Sequence, residues 1–286
     1  MRLLDRLRVR RQNRKSPQAT HVESNREKLD RYEAQSSFDI QHWQDITTLL
    51  VEAGEFASEI MRAELRGLLP NYLLPTQSWT PEQRFYLAAA YVFSYATAEA
   101  VHAFMRGEKV ILGLRVETST KAHMGLGRYD DRFVIVQRQD QTFSGTAVEF
   151  PGNTEPAYKY DAKNPNKSAA FGKDVDGDGV VDLGRIPAGT HQFIKGHSAK
   201  RGNILRPYKT IRLERDSNHD GLYGNDKVKV GLQNGLDAID TLFHKGGRGG
   251  FTGSAGCQTL EAPIFERFWA ATGAQKHFYY IIIKVR

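Results

Sequence analysis

The run VILGLRVET at residues 110–118 opens the part of the sequence that decides the fold. Further short runs of β-branched and aromatic residues follow, separated by Gly, Pro, Asn and Asp: RFVIVQR at 132–138, TAVEF at 146–150, HQFIKG at 191–196, TIRLER at 210–215, KVKVGL at 227–232 and HFYYIIIKVR at 277–286. Many short strands at this spacing predict an antiparallel sandwich or barrel and argue against a βαβ fold. We expect the strong last strand to close the sheet.

Upstream of these strands the apolar pattern is helical. Between residues 38 and 69 apolar side chains recur every three or four positions, as on one face of an amphipathic helix. The segment TPEQ at 80–83 has the form of a capping box with proline at the first helical position, and it predicts a second helix from Pro81 to about Met105.

These patterns predict an α+β fold in three parts. Residues 1–36 form a basic, flexible arm, residues 37–108 a small N-terminal helical domain, and residues 109–286 a mainly antiparallel β-sandwich. No apolar secretory region follows the basic arm. The most apolar window, residues 85–98, is shorter than the roughly 20 residues of a membrane span, so we expect no transmembrane segment.

Composition narrows the classes of partner. With 286 residues and 40% hydrophobic content the chain is not disordered throughout. It carries 40 Lys and Arg against 33 Asp and Glu, a net charge of +7. The expected partner is therefore anionic: nucleic acid, a membrane surface or a cell-wall polymer. Because no reading motif accompanies the basic arm, specific nucleic-acid binding is not expected.

The chain has a single cysteine, which excludes an internal disulfide and any multi-cysteine metal site. Cys257 follows His244 by 13 residues, and the stretch between them is rich in glycine. A catalytic cysteine needs a base or cation nearby, because the thiolate is the nucleophile. Gly256 permits a bend that exposes the sulfur and directs backbone N–H groups at an oxyanion. A buried structural cysteine is the alternative for any isolated Cys/His pair.

The order His244, Gly246-Gly247 and then Ser254-Ala255-Gly256-Cys257 resembles the active-site signature of the L,D-transpeptidase catalytic domain. GRIPAGT at 184–190 is similar to an element that precedes the active-site strands of that family. Further motifs resemble a phage- or toxin-associated subset and occur in the same order: YDD at 129–131, NTEP at 153–156, RDSNHDG at 215–221 and SAGCQ at 254–258.

The resemblance implies a peptidoglycan acyltransferase of L,D-transpeptidase type. Cys257 would attack the stem peptide before its terminal D-alanine and form a thioester, with His244 as base and then acid. Ser254 and Gly256 complete the expected catalytic set, and the implied substrate-binding residues are Gly246, Gly247, Arg248 and Thr259. A stem amine, a D-amino acid or water would accept the acyl group, giving transpeptidation, exchange or carboxypeptidase activity.

Two positions depart from the family pattern. The family usually has a polar residue two positions before the cysteine and often an arginine two positions after it, where this chain has Ala255 and Thr259. Recognition of the substrate carboxylate would then fall to another residue, such as Arg248 or Lys245. Both are equally typical of solvated loop charges.

The segment 174–182 is a candidate calcium loop. Asp174, Asp176, Asp178 and Asp182 stand at positions 1, 3, 5 and 9, a spacing that wraps a hard cation in oxygen ligands. Arg185 replaces the usual glutamate at position 12, so a hydrated acidic turn is the alternative. Such a calcium ion would be structural, and catalysis itself would require no cofactor.

The sequence therefore leaves two alternative functions, from different classes, open. The first is the cysteine acyltransferase, acting at the cell wall or periplasm as an injected effector or a phage-type enzyme. Made without a signal peptide, it would reach the wall by non-standard export or lysis, with a delivery or immunity protein as a partner. The second is a non-catalytic, calcium-stabilised β module that binds an anionic polymer.

Overall fold

The structure is a computed structural model that describes residues 59–139, 143–224, 226, 237–238, 241–247 and 249–285, with the backbone alone at 61 and 237–238. Several predicted features lie outside these residues: the basic arm, the first helix before residue 59, the run at 227–232 and Arg248.

Four α-helices lie in the described residues: α1 (Glu59–Arg66), α2 (Pro81–Tyr95), α3 (Ala98–Met105) and α4 (Ala262–Thr272). The predicted capping box is confirmed, since the Thr80 hydroxyl accepts the Gln83 N–H and the Gln83 side chain accepts the Thr80 N–H. The single helix predicted from Pro81 to Met105 is wrong. Ala96 and Thr97 are extended, and the Thr97 N–H donates to Thr190.

The described strands form one eight-stranded sheet and two short ribbons. Their bounds are β1 Val110–Val116, β2 Asp131–Arg138, β3 Gly145–Gly152, β4 Gly184–Arg185, β5 Gly189–Ser198, β6 Gly202–Pro207, β7 Ile211–Arg212, β8 Glu214–Arg215, β9 Asp237–Ala238, β10 Phe243–Lys245, β11 Gln258–Leu260 and β12 His277–Val285. The main sheet has the order β11-β10-β6-β5-β12-β1-β2-β3, while β4 pairs with β8 and β7 with β9.

The last strand lies in the middle of this sheet, so the prediction that it closes the sheet is wrong. β12 runs parallel to β1 on one side and antiparallel to β5 on the other. Its side chains are apolar on both faces: Tyr280 and Ile282 enter one core, and Ile281 and Ile283 enter the other. A strand that is buried on both faces belongs at the centre of a sheet.

The two faces of the sheet bury different cores. One core joins β1, β2 and β12 to α2 and α3, so residues on both sides of position 108 contribute to it. The other contains α4 and side chains from strands at both ends of the sheet, including Phe133, Phe150, Phe243 and Leu260. Strands from opposite ends share this second core because the sheet curves around it.

The curvature brings the two ends of the sheet together. Asn153, next to β3, exchanges backbone hydrogen bonds of 2.8 and 2.9 Å with Thr259 of β11. The α+β class is confirmed, and among the described pairings of the main sheet only β1 with β12 and β10 with β11 are parallel. The predicted sandwich of two sheets is instead one mixed, nearly closed sheet. Among the described residues no helix combines the length and apolarity needed to cross a bilayer.

Candidate active site

His244 lies on β10 and Cys257 directly precedes the adjacent strand β11, so the strand register relates their positions. In the parallel pair β10/β11, His244 is opposite Thr259, and the same register continued places Leu242 opposite Cys257. Leu242 and Cys257 pack together with Ile204 in a small buried cluster. Since residues two apart on a strand share a face, His244 and Cys257 lie on the same face of the sheet, two register positions apart. Cys257 is 8% exposed and His244 is 5% exposed.

One hydrogen bond fixes the tautomer of His244. Its Nδ1 lies 2.6 Å from the carbonyl oxygen of Lys245, and a carbonyl can only accept, so Nδ1 carries the proton. Nε2 is buried and has no hydrogen-bond partner among the described residues. Burial lowers the pKa of His244 to about 4, so the imidazole is neutral at pH 7. An unprotonated Nε2 has the lone pair that a general base needs.

The turn before Cys257 is held by the Ser254 side chain. The Ser254 hydroxyl donates to the Cys257 carbonyl at 2.6 Å and accepts the Gly256 N–H at 3.0 Å. Gly256 has φ 123°, and a Cβ there would lie 2.3 Å from the Gly184 carbonyl oxygen. Only glycine fits this position. Ser254 and Gly256 therefore shape the turn that presents the sulfur.

The residue after the cysteine anchors the turn to the core. Gln258 donates its side-chain amide to the Gly256 carbonyl at 3.2 Å, and its amide oxygen accepts the Tyr280 hydroxyl at 2.8 Å. Tyr280 belongs to the central strand β12 and is fully buried. The turn that carries Cys257 is thus tied to the central strand β12.

Tyr129 holds the glycine-rich loop between His244 and Cys257 by hydrogen bonds. The Tyr129 hydroxyl lies 3.2 Å from the Gly247 carbonyl and 3.0 Å from that of Phe251, and a Cβ on Gly246 would lie 2.0 Å from it. The Gly247 N–H also donates to the Thr252 carbonyl at 3.1 Å. Gly246 and Gly247 therefore allow close packing of this loop, and their predicted contact with substrate stays a prediction.

The other predicted substrate-binding residues are placed differently. Thr259 is fully buried and bonded to Asn153, which leaves no exposed side-chain surface in this structure. The Lys245 ammonium forms an ion pair with Glu266 of α4. Arg248 lies outside the described residues.

Three of the ordered motifs, YDD, NTEP and SAGCQ, are connected by hydrogen bonds next to the turn that carries Cys257. Asp131 accepts the Thr154 N–H and hydroxyl at 2.6 and 2.7 Å, and Thr154 accepts the Arg115 guanidinium at 2.7 Å. Ala157, just after the NTEP motif, donates its N–H to the Ser254 carbonyl at 2.8 Å. The separate motifs therefore build one supporting structure for the turn.

Sequence reasoning missed the residue at the centre of this support. Arg185 is only 2% exposed, and it pairs with Glu155, with Glu117 at 3.0 Å and with Glu214 at 2.8 Å. Its guanidinium also lies 4.2 Å from the centre of the Tyr223 ring. The preceding residue supplies the carbonyl against which Gly256 packs. Composition alone does not reveal a buried arginine, but its place in the GRIPAGT motif was an available signal.

The candidate calcium loop brings together three of its four aspartates. Carboxylate oxygens of Asp174, Asp176 and Asp182 lie within 4.8 Å of one another. Asp178 turns away and pairs with Lys163 at 3.2 Å. Asp182 is fully buried and lies 3.3 Å from His219. The three clustered aspartates are oxygen ligands suited to a hard cation, and calcium binding stays a prediction.

No family model, curated protein or solved structure matches this chain. The functional interpretation therefore depends on the geometry of the site and on the sequence resemblance.

Proposed function

We propose that this protein is a cysteine acyltransferase of L,D-transpeptidase type that acts on peptidoglycan stem peptides. The observation that carries the proposal is the pairing of His244 and Cys257 on one face of the sheet: the imidazole is neutral and oriented by the Lys245 carbonyl, and its buried Nε2 has no hydrogen-bond partner among the described residues. This is the arrangement that activates a cysteine for attack on a carbonyl.

In the proposed mechanism Nε2 removes the thiol proton as the sulfur attacks the carbonyl carbon of the diamino acid. The tetrahedral oxyanion forms beside the turn that carries Cys257, and its stabilisation requires a hydrogen-bond donor other than the Gly256 N–H, which is bonded to the Ser254 hydroxyl. The intermediate collapses to a thioester, and the proton on Nε2 passes to the nitrogen of the departing D-alanine. An acceptor amine or water then attacks the thioester, and His244 takes up its proton.

The proposed place of action is the bacterial cell wall, as an effector or phage-type enzyme. The net charge of +7 is complementary to an anionic wall polymer. A delivery or immunity protein would accompany such an enzyme.

The test is mass spectrometry of muropeptides incubated with the full chain. We expect D-alanine release by the wild type, with added free D-amino acid separating exchange from hydrolysis and cross-linking. Cys257→Ala should abolish release, and His244→Gln should lower it about 10² to 10⁴-fold, the usual contribution of a general base. His277→Gln, at an exposed histidine on another strand, is the matched control and should retain activity.

Undiminished release by Cys257→Ala would disprove the mechanism. The alternative, a calcium-stabilised binding module, predicts a different pair of results: an inert Cys257 thiol and a melting temperature that rises with calcium.

A further inference from the structure

A peptide cleaved at its last bond carries a free carboxylate close to the reacting carbonyl. Its recognition calls for a cation near Cys257 and His244. Among the described residues, the positions that the sequence suggested for carboxylate recognition do not supply an unpaired cation. Lys245 is paired with Glu266, and Thr259 is a buried, uncharged side chain bonded to Asn153.

Two exposed arginines lie on the hairpin formed by β5 and β6, beside the candidate site. Arg201 stands in the turn between these strands, and Arg206 is near the end of β6. Neither forms an ion pair with a described residue, in contrast to the buried Arg185. Their charges are therefore available to a ligand.

The strand register places this hairpin next to the catalytic pair. β6 runs antiparallel to β10 with Leu205 opposite Phe243. The same register puts Ile204 opposite His244 and Arg206 opposite Leu242. Ile204 packs with Leu242 and Cys257, so these residues share one face of the sheet.

Arg206 lies along this face beside Ile204 and Gly196. Gly196 of β5 pairs with Ile204, and a Cβ on Gly196 would lie 3.6 Å from Ile204 Cγ1 and 3.6 Å from Arg206 Nε. The Arg206 side chain thus extends over a position that lacks a side chain. The charge of Arg201 also contributes, after burial, to the lowered pKa of His244, which fits a guanidinium close to the imidazole.

We propose that Arg201, assisted by Arg206, binds the C-terminal carboxylate of the peptide whose acyl group is transferred to Cys257. This assignment rests on the proposed function and moves carboxylate recognition from the strand after the cysteine to the β5–β6 hairpin. The ligand class is an acyl-donor peptide with a free terminal carboxylate.

The test compares a tetrapeptide stem ending in D-alanine with the same peptide as its C-terminal amide. Wild type should prefer the carboxylate, and Arg201→Gln should lose about tenfold or more of that preference in kcat/KM. The acid limb of its pH profile should also move to higher pH, because the charge that lowers the pKa of His244 is gone. Lys200→Gln is the matched control, since it removes an adjacent exposed cation from the same turn.

Equal effects of the two variants, or an unchanged preference in Arg201→Gln, would overturn the assignment. Binding separates this inference from the proposed function. The tetrapeptide is titrated calorimetrically into Cys257→Ala, with and without Arg201→Gln, and we expect about tenfold weaker binding when Arg201 is removed. Binding that depends on Arg201 without turnover by the wild type would refute only the catalytic proposal. Turnover without dependence on Arg201 would refute only the carboxylate site.

Discussion

The two ring nitrogens of His244 have different environments, and this difference suits the ring to act as a base in the proposed reaction. Nδ1 is held by a backbone carbonyl of its own strand, while Nε2 is buried without a hydrogen-bond partner among the described residues. A backbone carbonyl orients the ring without adding a negative charge. Since no carboxylate stabilises the charged ring through Nδ1, burial dominates and the imidazole stays neutral.

The buried His244 should make the folded state sensitive to acid. Its pKa is about 4 when folded and near 6.5 when unfolded, so protonation favours the unfolded chain as pH falls from 6.5 to 4. Across this range wild type should lose about 3 kcal/mol more free energy of unfolding than His244→Gln. Urea unfolding at pH 7 and pH 4.5 measures this difference, with His277→Gln expected to follow wild type. Parallel losses in wild type and His244→Gln would show that His244 is not the group concerned.

Gly256 should be the least replaceable glycine of the loop. Gly256→Ala has to place a methyl group 2.3 Å from the Gly184 carbonyl oxygen at φ 123°. We expect a loss of about 1–3 kcal/mol or more in stability and a large loss of D-alanine release, because the turn carrying Cys257 must shift. Gly250→Ala is the matched control: Gly250 also has a positive φ, of 83°, but no atom lies within 4 Å of its added Cβ. Differential scanning calorimetry and the muropeptide assay together compare the two variants, and equal losses would contradict this account.

The secondary-structure elements that the sequence predicted correctly are those determined by residues close together in the chain. The capping box at Thr80 and the β-branched runs of β1, β2 and β12 depend on neighbouring residues, and all of them are confirmed. The position of β12 in the sheet depends on residues far away in the chain, and it was predicted wrongly. Helix α4 was missed although proline at its start and apolar residues three and four apart were visible.

In the candidate site, too, features determined by nearby residues were predicted and features determined by long-range strand pairing were not. The Cys257/His244 pair was visible as a spacing, but its geometry comes from the pairing of β10 with β11, which no local pattern specifies. Thr259 was chosen as a substrate residue by its position after the cysteine. It is buried because the pairing with Asn153 closes the sheet at that point.

The acidic loop at residues 174–182 leads to a prediction about calcium binding and stability. Calcium should raise the melting temperature, by the equivalent of about 3 kcal/mol at a hundred times its Kd. Asp182→Asn should abolish this shift, because the buried carboxylate of Asp182 belongs to the cluster. Asp178→Asn should preserve it, since Asp178 pairs with Lys163 instead. The spacing of the four aspartates in the sequence would predict that both variants lose the calcium-dependent shift. Thermal melts with and without calcium therefore distinguish a site of four aspartates from the three-aspartate cluster in the structure.

At the scale of the whole molecule, helices and sheet are joined through a common core. Phe85 of α2 is fully buried, its ring lies tilted against that of Phe104 of α3 at 6.2 Å between ring centres, and it reaches Gly145 of β3. Phe85→Ala should therefore cost about 3–5 kcal/mol and lower the stability of the helices and the sheet together. The exposed Phe171 serves as control, with a much smaller loss for Phe171→Ala. Denaturant unfolding followed by circular dichroism and by thiol accessibility should give one coincident transition, and two separate transitions would contradict the shared core.

The central position of β12 also affects how the protein is made. Val110 of β1 pairs with Tyr279 of β12. The middle of the sheet therefore cannot form until β12 has been synthesised, long after β1. During translation β1 and β5 lack the strand that joins them, and Gln258 lacks the Tyr280 hydroxyl that anchors the nucleophile turn. Long-range pairing of this kind folds slowly. We therefore expect the surroundings of Cys257 to assemble only after residues 277–285 have emerged from the ribosome.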